Sequence, residues 1–216
     1  MRKWLIAGCL LIGTMTIHAG ETAQEADGWI SLFNGENLDG WRAVENPSSF
    51  SVQDGMIVGN GPRAHLFYLG PVENHKFRNF IFRADIKTVT GANSGIFFHT
   101  AFMNKPSPTQ GYEVQINNYH PRERVRTGSL YKISEIFESA IPDNEWVTYE
   151  ITVRGKDVTV KADDKTLLEY TEPEDHKPPR SHPGRFLSSG TFALQNHDPK
   201  SIVYFRNIKV KVLPDT

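Results

Sequence analysis

The stretch Gly111-Tyr112-Glu113-Val114-Gln115-Ile116-Asn117-Asn118 alternates without a break, with Tyr112, Val114 and Ile116 on one side and Glu113, Gln115 and Asn117 on the other. A period of two marks a half-buried β-strand, because successive side chains of an extended backbone point to opposite faces. The same period recurs along the chain. Residues 77–88 set Phe80, Phe82, Ala84 and Ile86 against Arg83, Asp85 and Lys87, and residues 146–153 set Val147, Tyr149, Ile151 and Val153 against Thr148, Glu150 and Thr152. Residues 158–161 and 166–170 flank Asp163-Asp164, an acidic pair suited to a hairpin turn. Residues 202–213 read as a last long strand, and no helical spacing of apolar residues is sustained after residue 19. Many short strands with turns roughly every ten residues predict an all-β sandwich of jelly-roll type. Loops are expected at residues 100–110 and 171–184, the second carrying Pro173, Pro178, Pro179 and Pro183.

The first residues stand apart from this pattern. Arg2 and Lys3 precede an apolar run over residues 4–17, and His18-Ala19 offers a small residue for cleavage, the pattern of a secretory leader. The run falls short of the about 20 apolar residues that span a bilayer. Ile6-Ala7-Gly8-Cys9 resembles a lipoprotein cleavage box only superficially, since cutting there leaves too short an apolar region. The expected organisation is a signal peptide over 1–19, a flexible segment over 20–28 and one β-sandwich domain over 29–214. The product would be exported, periplasmic or extracellular, with no transmembrane segment in the mature chain. Cleavage near Ala19 removes Cys9, the only cysteine, so thiolate metal sites and cysteine nucleophiles are excluded from the mature chain. Loss of Arg2 and Lys3 leaves 22 basic against 25 acidic residues, a balance that gives no reason to expect nucleic acid.

The polar side of the first strand carries a carboxylate and two carboxamides in a row. Such mixed acceptors and donors match the hydrogen bonding of a polyhydroxylated ligand such as a sugar. Two other strands echo it. Residues 93–100 carry Gly95, Phe97 and His99 on one side, and residues 189–198 bring Thr191, Ala193, Gln195 and His197 together. Between them, residues 122–131 are dense in arginine, including Arg126, and end in Tyr131. Each candidate has a plainer reading. Glu113 could be a solvated surface residue, His99 a core histidine beside Phe97 and Phe98, His197 a cap for the Asp198-Pro199 turn, and Arg126 simply exposed. The other histidines, His65, His120 and His182 among them, show no ligand spacing. No zinc, calcium or phosphate-loop motif and no Gly-x-Ser-x-Gly elbow occurs.

Five segments occur in a recognisable order: residues 33–41 (Phe-Asn-Gly-Glu-Asn-Leu-Asp-Gly-Trp), 93–97 (Asn-Ser-Gly-Ile-Phe), 111–116 (Gly-Tyr-Glu-Val-Gln-Ile), 127–131 (Thr-Gly-Ser-Leu-Tyr) and 205–208 (Phe-Arg-Asn-Ile). That order resembles the 3-keto-disaccharide hydrolase domain family, also described as 3-keto-glucoside 1,2-lyase/3-keto-2-hydroxyglucal hydratase. The resemblance runs from about Trp29 to Pro214. It implies a concanavalin/laminin-G-like jelly-roll β-sandwich, an exported enzyme and a 3-keto sugar substrate. One position departs from the family pattern: an Arg common after Ile96-Phe97-Phe98 is His99 here.

A ketone at C3 of a glycosyl ring acidifies the C2 proton and makes the C1 oxygen a β leaving group. Cleavage by elimination, followed by hydration of the enone, avoids the paired carboxylates of ordinary glycosidases. Such a route needs a base, an acid and a group to stabilise the enolate. An imidazole ordinarily titrates near about 6.5, so His197 is the leading base and Glu113 its partner or alternate. Gln115, Asn117, Gln195 and His99 are expected to bind substrate, with Arg126 and Tyr131 donating towards the ketone or leaving group. No cofactor is evident, although a divalent cation between Glu113 and His197 is possible chemistry. The rival reading is a non-catalytic, lectin-like carbohydrate-binding domain, since a sandwich of this type does not fix function.

Overall fold

The computed structural model describes residues 27–104 and 108–215. The leader and most of the 20–28 segment read from the sequence lie outside them. Thirteen strands are formed among the described residues. The first seven are β1 Ile30–Ser31, β2 Trp41–Val44, β3 Phe50–Gln53, β4 Met56–Asn60, β5 Ala64–Tyr68, β6 Phe80–Thr88 and β7 Ser94–Thr100. The rest are β8 Tyr112–Ile116, β9 Val147–Arg154, β10 Asp157–Ala162, β11 Lys165–Thr171, β12 Thr191–Asn196 and β13 Ile202–Val212. The predicted hairpin forms at Asp163-Asp164, where Ala162 pairs with Lys165 and Asp163 takes a φ of 51°. Aspartate tolerates that left-handed conformation better than most residues.

All strand pairs are antiparallel and fall into two sheets. The eight-stranded sheet runs β11-β10-β9-β6-β13-β4-β3, with β1 also paired to β13; the five-stranded sheet runs β2-β5-β12-β7-β8. This is the expected all-β sandwich. The alternation decides what lies between the layers. Tyr112, Val114 and Ile116 from β8 meet Phe80, Phe82, Tyr149 and Ile151 from the larger sheet in one buried core. Phe192 of β12 sits at its centre, with ring centroids 4.6, 4.9 and 4.7 Å from Phe77, Phe80 and Phe82.

Among the described residues no regular strand pairs with the outer edge of β8, and a loop supplies a partner. Residues 127–131 run alongside it: Gln115 N–H donates to Ser129 O (2.9 Å), Tyr131 N–H donates to Glu113 O (2.9 Å), and Val114 bridges Leu130. Pairing of this kind keeps the β8 edge from being left open. It also sets Tyr131 directly across from Glu113.

Phe192→Ala should cost about 3–5 kcal/mol of stability, because the cavity left among three aromatic rings cannot collapse. Urea denaturation monitored by tryptophan fluorescence reads this directly.

Candidate functional site

Residues of alternate parity on β5, β12, β7 and β8 point away from the core, onto the outer face of the five-stranded sheet. Register arranges them in rows. One row runs Phe67, Ala193, Phe97, Glu113 and then Tyr131; the next runs His65, Gln195, Gly95 and Gln115. A third is begun by His197, whose N–H reaches Asn93 O at 3.4 Å. Loops close over these rows and leave a cavity of about 140 Å³, lined by Glu113, Gln115, Gln195, His197, Tyr131 and Arg185. Arg63, Asn93, Phe97, Pro108, Glu123 and His182 complete its wall.

Glu113 is the focus of the site. A Cβ added at Gly95 would lie 2.8 Å from Glu113 Oε1, so the carboxyl occupies space that only a glycine leaves free. Its partner is Arg185, whose Nη2 donates to Glu113 Oε2 at 3.1 Å and whose Nη1 donates to Gly111 O at 3.2 Å. Both side chains are buried, 8% and 3% exposed. Arg185 also lies over the Phe97 ring, 5.5 Å from its centroid. Gly184 makes this approach possible: its carbonyl accepts from Gly111 N–H at 2.9 Å, and any side chain there would collide with the Thr109 carbonyl. Burial pushes the Glu113 carboxyl up to about 7, and the Arg185 charge only partly opposes it. Arg185 is in turn lowered by burial, with Glu113 opposing. Arg185 Nε, buried in the same place, has no hydrogen-bond partner among the described residues.

His197 belongs to a second polar unit. Its Nδ1 lies 3.1 Å from Asp198 Oδ2, and that oxygen also accepts from Ser201 Oγ at 2.9 Å. Burial raises the Asp198 carboxyl, but hydrogen bonds from Lys200 N–H, His197 and Ser201 outweigh it and hold the group below its ordinary value. An ionised Asp198 accepts the Nδ1 proton and leaves Nε2 as the basic nitrogen. The partner of His197 is therefore its sequence neighbour. Glu113 pairs with Arg185.

Three sequence candidates are not brought to the cavity. His99 turns into the core because β7 carries one extra residue against β12 between Phe97 and Thr100, a bulge at which His99 takes a φ of 54°. Its ring packs on Phe80 and Phe98, Nε2 bonds Arg78 O at 2.8 Å, and Nδ1 accepts from Ser188 N–H at 3.0 Å. Burial lowers its pKa to about 4. Asn117 lies just past the end of β8 and holds a loop together. Its Nδ2 donates to Glu123 O and Val125 O, and its Oδ1 accepts from His120 N–H. Arg126 serves the same loop, donating to Glu123 O at 2.8 Å and to Asn117 Oδ1 at 3.2 Å. Glu113, Gln115, Gln195, His197 and Tyr131 do share the cavity.

Arg185 and Asp198 were missed. Asp198 had a local signal, its adjacency to His197. Arg185 had none, since it reaches Glu113 across 72 residues of sequence. Among the described residues no group of three or more His, Cys, Asp or Glu side chains is placed to hold a metal ion, so the cation considered between Glu113 and His197 finds no third ligand of these types. No helix among them is long and apolar enough to cross a membrane.

Comparison with known proteins decides the lineage. A family model for the 3-keto-alpha-glucoside-1,2-lyase-like domain matches residues 28–211. The chain belongs to that family. A curated relative, the 3-keto-disaccharide hydrolase of Bacteroides thetaiotaomicron, is 27% identical and covers 88% of this chain and 80% of its own length. Among solved structures, a Parabacteroides distasonis protein named as a glycosyl hydrolase superposes with a TM-score of 0.74 at 24% identity, covering 88% of this chain and 95% of its own. A carbohydrate-binding module of Bacillus subtilis shares the sandwich at a TM-score of 0.57 and 14% identity, covering 80% of this chain and 95% of its own.

The Glu113 shift has a thermodynamic consequence. The folded protein keeps the Glu113 proton up to about 7, whereas an unfolded glutamate loses it near 4.5. Between these values the folded state binds more protons, so the Glu113 contribution to stability falls as pH rises from about 4.5 to about 7. His99 and His65, both lowered by burial, oppose this trend equally in wild type and Glu113→Gln. The stability difference, wild type minus Glu113→Gln, should therefore fall across that window and be flat outside it. Urea titrations at half-unit pH steps measure it.

Proposed function

We propose that this domain cleaves 3-keto-glycosides by elimination across C1–C2, with water then added to the enone, for net hydrolysis. One observation carries the reading. A single cavity joins a carboxyl that titrates near 7, a buried guanidinium with an unpartnered N–H, and a His–Asp pair. Those are the acid, the enolate stabiliser and the base that the elimination needs. Family membership and the named activity of the Bacteroides thetaiotaomicron relative support it.

In this reading His197, oriented by Asp198, takes the C2 proton. The electron pair moves towards the ketone, and Arg185 Nε–H donates to the oxygen as it gains charge. The pair then returns to form the C1–C2 double bond while the C1–O bond breaks. Glu113 gives its proton to the departing oxygen, and the carboxylate so formed stays paired with Arg185. For hydration, Glu113 takes a proton from water as its oxygen adds to C1, and C2 regains a proton from His197, whose imidazolium has by then exchanged its proton with solvent. Each group ends as it began. Gln115, Gln195 and Tyr131 hold the ring. An exported location is part of the proposal and rests on the leader pattern of residues 1–19.

The test is incubation of the purified protein with both anomers of 4-nitrophenyl 3-keto-glucopyranoside in heavy water. Nitrophenol release with deuterium at C2 of the sugar is expected. His197→Ala should lower the rate about 10²–10⁴-fold, and the wild-type rate should decline above pH about 7 as Glu113 loses its proton. Tight binding of unoxidised glycans without turnover would instead establish the lectin-like role. Equal release from the unoxidised glucoside would rule out elimination.

A further inference from the structure

Gln195 differs from its neighbours in the cavity because it is wired to a half-buried acid on the far side of a histidine. His65 stands directly across from Gln195 in the β5–β12 register and is completely buried. Its Nδ1 lies 2.6 Å from Glu45 Oε2, and its Nε2 lies 3.2 Å from Gln195 Nε2. Edge-on packing against Phe97, 5.4 Å between centroids, fixes the ring plane. Glu45, just after β2, takes a φ of 68° while Asn46 N–H bonds Val44 O across it. A glutamate in that left-handed conformation is uncommon and strained, and such strain persists where the surroundings enforce it.

The chain of bonds has only one consistent polarity. A carboxylate only accepts, so Nδ1 of His65 carries the proton. Burial keeps the ring neutral at neutral pH; Glu45 opposes this, while Arg63 and His197 reinforce it. Nε2 is then an acceptor, and Gln195 must turn its NH₂ towards it. The carboxamide oxygen is thereby left facing away from His65. That oxygen is buried and has no hydrogen-bond partner among the described residues, on a residue that lines the cavity.

We infer that Glu45 and His65 are positioning residues that fix the Gln195 carboxamide with its oxygen free, so that the site accepts a hydrogen bond from a sugar hydroxyl there. This rests on the proposed 3-keto-glycoside chemistry for its substrate and adds a specificity element beside the cavity, on the same face of the sheet. A ring carrying a carbonyl or an ether oxygen at that position would meet acceptor against acceptor and be disfavoured.

Two measurements test it. Long-range proton–nitrogen correlation spectra of ¹⁵N-histidine-labelled protein should show His65 as the neutral, Nδ1-protonated tautomer at pH 7.5 to 8. An Nε2-protonated or doubly protonated ring there would overturn the wiring, whatever the enzyme does. Kinetics on 4-nitrophenyl 3-keto-glucopyranoside then read the consequence. Gln195→Leu and Glu45→Leu should each raise KM roughly three- to tenfold, the worth of one hydrogen bond, with less effect on kcat. The double variant should be no worse than the poorer single one, because Glu45 acts only through Gln195. Additive increases would refute the coupling. Wild-type protein that fails to turn over the probe would sink the functional reading alone, leaving the tautomer measurement to decide the wiring.

Discussion

The Glu113–Arg185 pair is the interaction around which the site is organised. Burying a carboxylate and a guanidinium together is expensive, and such a pair is weak evidence for stability. Here the cost is only partly offset, because burial still pushes Glu113 up to about 7 against the attraction of Arg185. The result is a carboxyl able to give and take a proton at neutral pH, with a fixed positive charge beside it for whichever form lacks the proton. Removing Glu113 leaves the Arg185 charge buried without its partner, and removing Arg185 pushes the Glu113 carboxyl further up.

Everything nearby follows from keeping that pair in place. Gly95 leaves the room for the carboxyl, and Gly184 lets the Pro-rich loop approach β8 closely enough to deliver Arg185. Phe97 lies under the guanidinium and packs at a steep angle against His65. The edge segment at residues 127–131 closes β8 and brings Tyr131 across from Glu113. Behind the sheet, the aromatic core around Phe192 gives the strands a rigid backing, which a site demanding sub-ångström placement requires.

Much of this was legible in the sequence, and the failures have physical causes. Period-two alternation assigned Tyr112, Val114 and Ile116 to the core and Glu113 and Gln115 to the other face, because pleat geometry acts locally. The same reasoning misplaced His99, since a bulge is set by pairing with β12 and reverses the facing of the residues beyond it. Asn117 looked like the third member of a polar row. The strand ends one residue earlier, and its amide is consumed in holding a loop that has little regular structure of its own. Arg126 went the same way. Arg185 was invisible, because nothing local marks a residue delivered by a loop from 72 positions away. Asp198 was visible but read as a turn residue, although its side chain also fixes the histidine beside it.

The central claim is that a 3-keto sugar sits in the outer-face cavity with its ketone at Arg185 and its C2 near His197. A crystal structure of Glu113→Gln soaked with 4-nitrophenyl 3-keto-glucopyranoside tests this most directly. The account predicts the ring within the cavity, the ketone oxygen within hydrogen-bonding distance of Arg185 Nε and C2 facing the His197 imidazole. A sugar bound elsewhere on the sandwich, with Arg185 Nε still unpartnered, would contradict it.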